Sequence, residues 1–485
     1  MTSLANRPSL QVALNGTIEE KAPSFHALSD AIWGFAELGF EEMRSCEAQI
    51  AIMESEGFRI DRCAGGLPTA FMAEAGEGDP VIALLGEFDA LAGLSQVAGA
   101  ARAIPVEPGA PGHGCGHNIL GSAAALAAAA VAATLKREGL AGRVRYYGCP
   151  AEEGGGGKAF MVREGAFDEV DIALTWHPAA YTGVNFGENL AFIQSTFKFV
   201  GKAAHAALSP HLGRSALDAV ELMNVGVNYL REHVIPDARI HYAYRDAGGR
   251  AANVVQANAE IGYIVRAPNL ALLQPIFERV KRIAGGASMM TDTAVEVRVE
   301  SGMSDVLLNR TLADLLFAQL QRLGGVPFSQ EDQEEAQAFR ETFSSDELQF
   351  AMAKASGSQP LPAQPLHDDV AAFDGVPTRS FGSTDVGDVS WVVPTAQFWG
   401  ATCAMGTPFH SWQMVAQGKT GVAHKGLTHA AKVLAAACLE AIADPAIVER
   451  AKAEHAQRKA GRSYVCPIPA GVKPPVATFQ DRTCQ

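Results

Sequence analysis

The sequence predicts an α/β fold, in which a larger domain built on a mixed β-sheet carries an inserted, ferredoxin-like α+β domain. Three observations lead to this prediction. The chain has 485 residues, more than one hydrophobic core usually supports, so at least two domains are expected. Apolar runs alternate with helical segments in the first part of the chain, and the pattern changes near residue 192.

The larger domain is predicted from buried strands separated by helices. Residues 81–85 (VIALL), 144–148 (VRYYG) and 172–175 (IALT) are short apolar runs, and helical periodicity covers residues 17–56. Strands that do not alternate between apolar and polar residues are typical of a parallel or mixed sheet covered on both faces. The sequence therefore predicts helices on both sides of such a sheet.

The inserted domain is predicted over residues 192–302, with its segments in the order β-α-β-β-α-β. They are a strand at 192–200, a helix at 214–232, strands at 238–244 and 254–265, a helix at 270–284 and a strand at 294–300. The larger domain then comprises residues 1–191 and 303–485. Its second part is predicted to contain a surface insertion at 329–347 and 359–367, a helix at 424–443 and a Pro-rich irregular tail from 459.

Composition excludes several classes of partner. The chain has 39 Lys and Arg against 53 Asp and Glu, a net charge of −14, and it has no basic stripe. This composition argues against binding of nucleic acid.

The first residues contain no secretory signal. The Ala-rich run 119–134 is short for a membrane span and is interpreted as a buried helix. Eight scattered cysteines suit a reducing compartment, so a cytoplasmic protein without membrane contact is expected.

Polar clusters accompany the ends of the apolar runs. They are Glu87 and Asp89 after VIALL, Cys115 and His117 before the Ala-rich helix, Glu152 and Glu153 after VRYYGCPA, and His177 after IALTW. Because ligands bind at the carboxyl ends of strands in open α/β sheets, these side chains are expected to converge in space.

The residue types indicate a metal site. Thiolate, imidazole and carboxylate are the usual ligands of zinc and related ions, and an extended loop can aim both Cys115 and His117 at one point. In the adjacent pair Glu152 and Glu153, one carboxylate can bind metal while its neighbour moves protons. Taken singly, each residue also has a structural interpretation, such as a buried thiol or a turn carboxylate, so the prediction depends on their convergence.

Other interpretations of the motifs compete with this one. The run Gly154 to Lys158 suggests a phosphate loop, but Ala159 stands where a Ser or Thr should bind magnesium. A cysteine amidase would use Cys115 as nucleophile and His117 as base, although residues two apart rarely reach the required geometry. A non-catalytic paralogue that has kept the fold, and a dipeptidase on the same fold, remain the alternatives.

Long motifs resemble a known family. GHGCGHN, CPAEEGG, TWHP, FVGKAAHAALSPHLGRSALDAV, NVVQANAEIGYIVR, STDVGDVSW and GTPFHSWQ are similar to the metallopeptidase family of aminoacylases, carboxypeptidase G and plant auxin-conjugate amidohydrolases. The resemblance implies a metallopeptidase catalytic domain with a lid that also dimerises. It implies two divalent ions, manganese or zinc, bound by Cys115, His117, Glu153, His177 and His410.

The resemblance also assigns roles to other residues. It implies that Glu152 is the general acid and base, that His205 stabilises the tetrahedral intermediate in the site of a partner chain, and that Asn253 and Arg266 bind the substrate carboxylate. The implied substrate is an N-acyl amino acid, with p-aminobenzoyl-glutamate or a similar N-acyl-glutamate or N-acyl-aspartate first. The implied assembly is a homodimer or a heteromer with a paralogous chain.

The sequence departs from the family pattern at two points. Many relatives have His-x-Asp where this chain has Glu87-Phe88-Asp89, and Asn118 stands where the Cys-x-His branch commonly has Asp. The metal environment is therefore expected to differ from the standard one.

Overall fold

The computed structural model describes residues 8–355 and 364–476. The strands are β1 Arg59–Arg62, β2 Phe71–Glu77, β3 Val81–Glu87, β4 Gly142–Cys149, β5 Ile172–Ala179, β6 Gly183–Asn185, β7 Gly187–Glu188, β8 Ala191–Val200, β9 Arg239–Asp246, β10 Asn258–Ala267, β11 Ala294–Met303, β12 Thr378–Arg379 and β13 Thr395–Ala401. The helices are α1 Pro8–Phe35, α2 Met43–Ser55, α3 His117–Glu138, α4 Gly157–Arg163, α5 Ala216–Leu230, α6 Leu270–Thr291, α7 Arg310–Leu323, α8 Gln330–Arg340, α9 Ser345–Ala355, α10 Val386–Val392, α11 Trp412–Gln417, α12 Gly421–Ala443 and α13 Pro445–Lys459.

The larger domain contains a seven-stranded sheet in the order β1-β2-β4-β3-β5-β13-β6. Its four central strands, β4, β3, β5 and β13, run parallel, whereas β1, β2 and β6 are antiparallel to their neighbours. The predicted mixed sheet is thus confirmed. Because the central strands are parallel, their carboxyl ends lie at one edge, which is where the polar clusters are expected to meet.

Two apolar helices cover this sheet. Helices α3 and α12 are long and apolar enough to cross a membrane by length and composition, but most of each helix is buried inside the protein. Helix α3 packs on β3, β4 and β5, and its alanines allow a close approach to the sheet. An added methyl group at Gly121 would lie 2.6 Å from the backbone oxygen of Glu87, so glycine permits contact at the very end of β3.

The second sheet has four antiparallel strands in the order β11-β8-β10-β9. With α5 and α6 it follows the predicted β-α-β-β-α-β order, and these elements share a hydrophobic core of their own. The sheet begins at Ala191 and ends at Met303, close to the predicted limits of 192 and 302. The division of the chain into domains at those residues stays a prediction.

Several local predictions need correction. The N-terminal helical region is two helices, α1 and α2, and the third strand of the lid begins at Asn258 rather than at 254. The segment 329–347, predicted as a surface insertion, contains α8, which begins at a capping box between Ser329 and Asp332, and the first residues of α9. Residues 460–476 contain no helix or strand, as predicted, whereas 1–7, 356–363 and 477–485 lie outside the described residues.

Candidate active site

The predicted ligands meet at the carboxyl edge of the central strands. Glu153 follows β4, His177 lies inside β5 near its end rather than after it, and His117 is the first residue of α3. Cys115 precedes α3, and Gly116, with a φ of +75°, turns the chain between Cys115 and His117. His410 comes from the segment between β13 and α11, and its backbone N–H donates to the Gly114 oxygen at 2.8 Å.

The five residues form two groups that share one member. Cys115, His117 and His177 each offer a ligand atom, and these atoms lie within 4.8 Å of one another; the same holds for Cys115, Glu153 and His410. Cys115 Sγ lies 3.6 Å from His177 Nε2, and His410 Nε2 lies 3.3 Å from Glu153 Oε2. The sequence-predicted ligands are therefore together in space, and Cys115 belongs to both groups.

Unpaired polar atoms in these groups and in the nearby Glu87 show that the site suits a cation. His117 Nε2, Glu153 Oε1 and Glu87 Oε2 are buried without a hydrogen-bond partner in the described structure. Leaving buried polar atoms unpaired is costly, and a cation would satisfy all three acceptors. The combination of thiolate, imidazole and carboxylate donors fits divalent zinc or manganese.

Neighbouring groups orient the ligands. Asp89 Oδ1 pairs with His117 Nδ1 at 2.8 Å, which directs Nε2 into the site, and Asp89 Oδ2 accepts from the Glu153 backbone at 2.8 Å. His177 Nδ1 contacts the Pro178 oxygen at 2.8 Å, so its Nε2 faces Cys115. Asp89 thus holds one ligand from each group.

Asn118 has a structural role. Its amide donates to the Gly418 oxygen at 2.9 Å and to Ser29 Oγ at 3.0 Å, so it ties the start of α3 to α1 and to the end of α11. Asn118 belongs to none of the ligand groups among the described residues. The departure from the family pattern at this position therefore changes the support of α3 rather than the ligand set.

The two adjacent glutamates have opposite pKa shifts. Burial, followed by the charges of Glu87 and Glu153, raises the pKa of Glu152 well above its usual value. Burial alone would also raise the pKa of Glu153, but the hydrogen bond to His410, with the charge of His117, lowers it to about 2. Neighbouring carboxylates whose pKa values are pushed apart are typical of an acid/base group beside an ionised ligand.

The cysteine-nucleophile interpretation is disfavoured. Burial raises the pKa of Cys115 well above its usual value, and the charge of Glu153 raises it further. Nucleophilic cysteines lie in surroundings that lower the thiol pKa. A bound cation, in contrast, would deprotonate a coordinating thiol.

Sequence reasoning missed a buried ion-pair network beside the ligands. Lys158 Nζ donates to Glu87 Oε1 and to Asp385 Oδ1, both at 2.6 Å, and all three side chains are almost fully buried. The glycines before Lys158 suggest only a phosphate loop. The apolar run Ala159 to Val162, directly after Lys158, could have indicated that this lysine is buried. A buried lysine has to be paired with an acidic side chain.

The lid residues occupy different ends of β10. His205 and Asn253 are exposed and adjacent, since Ala206 N donates to the Asn253 oxygen at 3.0 Å. Asn253 lies in a turn before β10 and therefore outside the strand that carries Arg266. Arg266, near the far end of β10, donates to Ser383 Oγ of its own chain at 2.6 Å and stacks over Phe192.

The fold and this centre define a hydrolase of the metallopeptidase class, with a ferredoxin-like unit inserted into an α/β domain. Residues 83–406 match the model of Peptidase family M20/M25/M40, and the chain belongs to that family. The family resemblance drawn from the sequence motifs is thus confirmed.

Individual relatives cover nearly the whole chain. The chain is 46% identical over 470 residues to one of the subunits of p-aminobenzoyl-glutamate hydrolase from Escherichia coli (strain K12), covering 95% of this chain and 98% of that protein. It is 30% identical over 460 residues to Xaa-Arg dipeptidase of Mus musculus, covering 90% of each. The crystal structure of aminobenzoyl-glutamate utilization protein from Klebsiella pneumoniae has the same fold, with a TM-score of 0.55, 19% identity and coverage of 85% of this chain and 98% of that one.

Replacing the shared thiol should affect both ligand groups. We expect Cys115→Ala to bind less than half of the metal that the unaltered protein binds, because Cys115 belongs to both groups. Elemental analysis of protein equilibrated with manganese or zinc measures this. Cys403→Ala removes a buried thiol outside both groups and should keep the full metal content. A full metal content in Cys115→Ala would show that the thiol is not a ligand.

Proposed function

We propose that the protein hydrolyses the amide bond of an N-acyl amino acid, with p-aminobenzoyl-glutamate as the first candidate substrate. The observation that carries the proposal is the pair of ligand groups joined by Cys115, with Glu152 beside them. The 46% identity to the p-aminobenzoyl-glutamate hydrolase of Escherichia coli supports the choice of substrate.

The proposed cofactors are two divalent ions, manganese or zinc. Cys115, His117 and His177 would hold one, and Cys115, Glu153 and His410 the other. When bound, such ions polarise a carbonyl oxygen and lower the pKa of a water molecule toward about 7. Asp89 fixes His117 and Glu153 by hydrogen bonds to both, so the ligands are oriented before an ion arrives.

Glu152 is the proposed proton carrier. It takes a proton from the attacking water, and it then gives that proton to the nitrogen of the leaving amine, so that one carboxylate serves both steps. Its position next to Glu153 places it beside the ligands. Burial and the charges of Glu87 and Glu153 raise the pKa of Glu152, so its ionised form is a stronger base toward the attacking water and its protonated form can then supply the leaving amine.

Arg266 is the proposed site for the substrate carboxylate. It is half-buried, and burial lowers its pKa, yet among the described residues no carboxylate forms an ion pair with it. Ser383 occupies one of its five N–H donors, which leaves an edge of the guanidinium able to bind a carboxylate through two parallel hydrogen bonds. This supports a substrate with a free carboxylate on the amine side of the bond.

A dipeptidase is the second candidate. The 30% identity to Xaa-Arg dipeptidase covers 90% of the chain, and a dipeptide also carries a free carboxylate beyond its amide bond. Activity of metal-loaded protein toward p-aminobenzoyl-glutamate and toward dipeptides ending in arginine distinguishes the two. A higher kcat/KM for the dipeptides would overturn the first choice.

Glu152→Gln should abolish turnover and leave metal binding intact. The substitution keeps the shape of the side chain but removes its capacity to take a proton, so kcat should fall at least about 10²- to 10⁴-fold. Glu164→Gln, at an exposed carboxylate after α4, is the matched control and should keep normal kcat. A normal kcat in Glu152→Gln with full metal content would refute the assigned role.

Arg266→Ala should weaken the preference for acidic substrates. We expect kcat/KM for the free acid to fall about 10- to 100-fold, the range for loss of a charged hydrogen bond, while the amidated analogue is affected little. Arg298→Ala, at an exposed arginine on β11, is the control. If the unaltered enzyme cleaves the amidated analogue as well as the acid, carboxylate recognition by Arg266 is wrong.

The proposed assembly is a homodimer, or a heteromer with a paralogous chain, since the Escherichia coli relative is named as one of the subunits of its hydrolase. His205 is exposed and its Nδ1 accepts only from Ala207 N and Leu208 N in the described chain, so it is available to a partner. In a dimer, His205 would stabilise the oxyanion in the partner's site.

Mixing two inactive variants tests this role. If His205 acts across the dimer, Glu152→Gln and His205→Ala protomers form hybrid dimers in which one of the two sites has both groups intact. Activity should therefore rise on mixing, up to about one quarter of normal for random exchange, as a matter of statistics for the two site types. Protomer exchange is followed with different tags, and exchange without any gain in activity would contradict the role of His205 in the partner's site.

A further inference from the structure

We propose that Glu87 is an additional ligand of the metal centre, and that Lys158 and Asp385 hold its carboxylate in the ligating position. This inference rests on the proposed two-ion site and adds a residue to the five ligands that the family resemblance implies. It gives a role to the position at which the sequence departs from His-x-Asp.

The two oxygens of Glu87 have different surroundings. Oε1 accepts a hydrogen bond from Lys158 Nζ at 2.6 Å, whereas Oε2 has no hydrogen-bond partner in the described chain although the side chain is 2% exposed. Oε2 lies 3.3 Å from His117 Nε2, which also has no hydrogen-bond partner among the described residues. Glu87, His117 and Glu152 form a third group whose ligand atoms lie within 4.8 Å of one another.

The contact between Glu87 and His117 needs a positive charge, which a metal ion can supply. Asp89 pairs with Nδ1 of His117, so the tautomer with its proton on Nδ1 presents a lone pair at Nε2. An ionised Glu87 also presents a lone pair at Oε2. When His117 Nε2 carries no proton, two buried acceptors 3.3 Å apart repel each other unless a metal ion lies between them.

The separation fits shared coordination. Ligand atoms of nitrogen and oxygen bind zinc and similar ions at about 2.0–2.2 Å, and two such atoms at about 100° are about 3.2 Å apart. The 3.3 Å between Glu87 Oε2 and His117 Nε2 agrees with this value. The ion that His117 binds would then also be coordinated directly by Glu87.

Lys158 and Asp385 explain why Glu87 points in this direction. Lys158 is fully buried, and its ammonium group bridges Glu87 Oε1 and Asp385 Oδ1, while Asp385 Oδ2 accepts from the Lys158 backbone at 2.8 Å. Asp385 thus fixes both ends of the lysine, and the lysine engages one oxygen of Glu87. The lysine leaves the second oxygen of Glu87 facing His117.

Crystals of the full chain grown with Mn²⁺ test the assignment without any variant. Anomalous scattering locates the ions, and one of them should lie about 2.0–2.4 Å from both Glu87 Oε2 and His117 Nε2. An ion bound to His117 but more than about 3 Å from the Glu87 carboxylate would overturn the inference and leave the proposed function intact. If no ion binds His117, the two-ion centre itself is wrong.

Two variants test in solution whether Glu87 binds a metal ion. We expect Glu87→Gln to weaken binding of one of the two Mn²⁺ ions more than about tenfold and to leave the other unchanged. Asp388→Asn is the matched control, because Asp388 is an equally buried carboxylate whose partners are Ser304 and Tyr464, outside the ligand groups. Unchanged affinity for both ions in Glu87→Gln would overturn the inference.

The absorption spectrum of Co²⁺-substituted protein separates a ligand from an indirect role. Loss of a ligand lowers the coordination number and should strengthen the visible d–d absorption in Glu87→Gln, with no change in Asp388→Asn. Weaker binding with an unchanged spectrum would show that Glu87 acts through His117 and not on the ion, which also overturns the assignment.

Discussion

Several carboxylates are buried together at one edge of the central sheet, and their negative charges have to be compensated. Glu87, Asp89 and Asp385 are almost fully buried, and Glu152 and Glu153 lie against them. Lys158 neutralises only part of this negative charge, through Glu87 and Asp385. Since isolated buried charges are strongly unfavourable, the arrangement is stable only with added cations or protons.

Protons and cations can compensate the buried charge at different residues of the site. Burial and the charges of Glu87 and Glu153 raise the pKa of Glu152, whereas the contacts with His410 and His117 lower the pKa of Glu153. The unpaired atoms of His117, Glu153 and Glu87 are acceptors that a cation would satisfy. The same excess of buried negative charge therefore favours both proton uptake at Glu152 and binding of a cation beside it.

Rigid packing around the edge keeps these groups in place. Helix α3 is covered by α1 and α12, and Asn118 ties its first turn to both α1 and the end of α11. Gly121 allows α3 to touch the end of β3, next to Glu87. Ligands placed on the ends of a packed helix and packed strands are held more closely than ligands on loops, which favours a defined centre.

Much of this site follows from sequence patterns, and the reasons for the exceptions are physical. VIALL and IALT predict central strands because such runs are buried on both faces, and the residues at their ends meet as expected. Strand β2 is not predicted because Phe71–Glu77 mixes apolar, glycine and charged residues. Strand β13, Thr395–Ala401, is not predicted for the same reason, since its sequence shows neither a continuous apolar run nor a regular alternation. Pairing with neighbouring strands, which no local pattern records, makes both of them strands.

Long-range contacts account for the remaining differences. The network of Lys158 with Asp385 joins residues 227 positions apart, and no spacing rule connects them. The contact between Arg266 and Ser383 spans 117 positions and fixes Arg266 to the catalytic domain of its own chain. His205 and Asn253 lie at the opposite end of β10 from Arg266.

The separation of His205 and Asn253 from Arg266 along β10 limits which of these residues can contact one substrate. A rigid ten-residue strand is about 33 Å long, so groups before its start and near its end cannot both reach a small substrate on one chain. Arg266 is anchored beside Ser383, two residues from Asp385 and hence near the ligands. If His205 and Asn253 also act on the substrate, either the lid bends sharply or these residues come from a second protomer. Since β10 pairs with β8 and β9 along most of its length, bending would break those ladders, and the second protomer is the less costly solution.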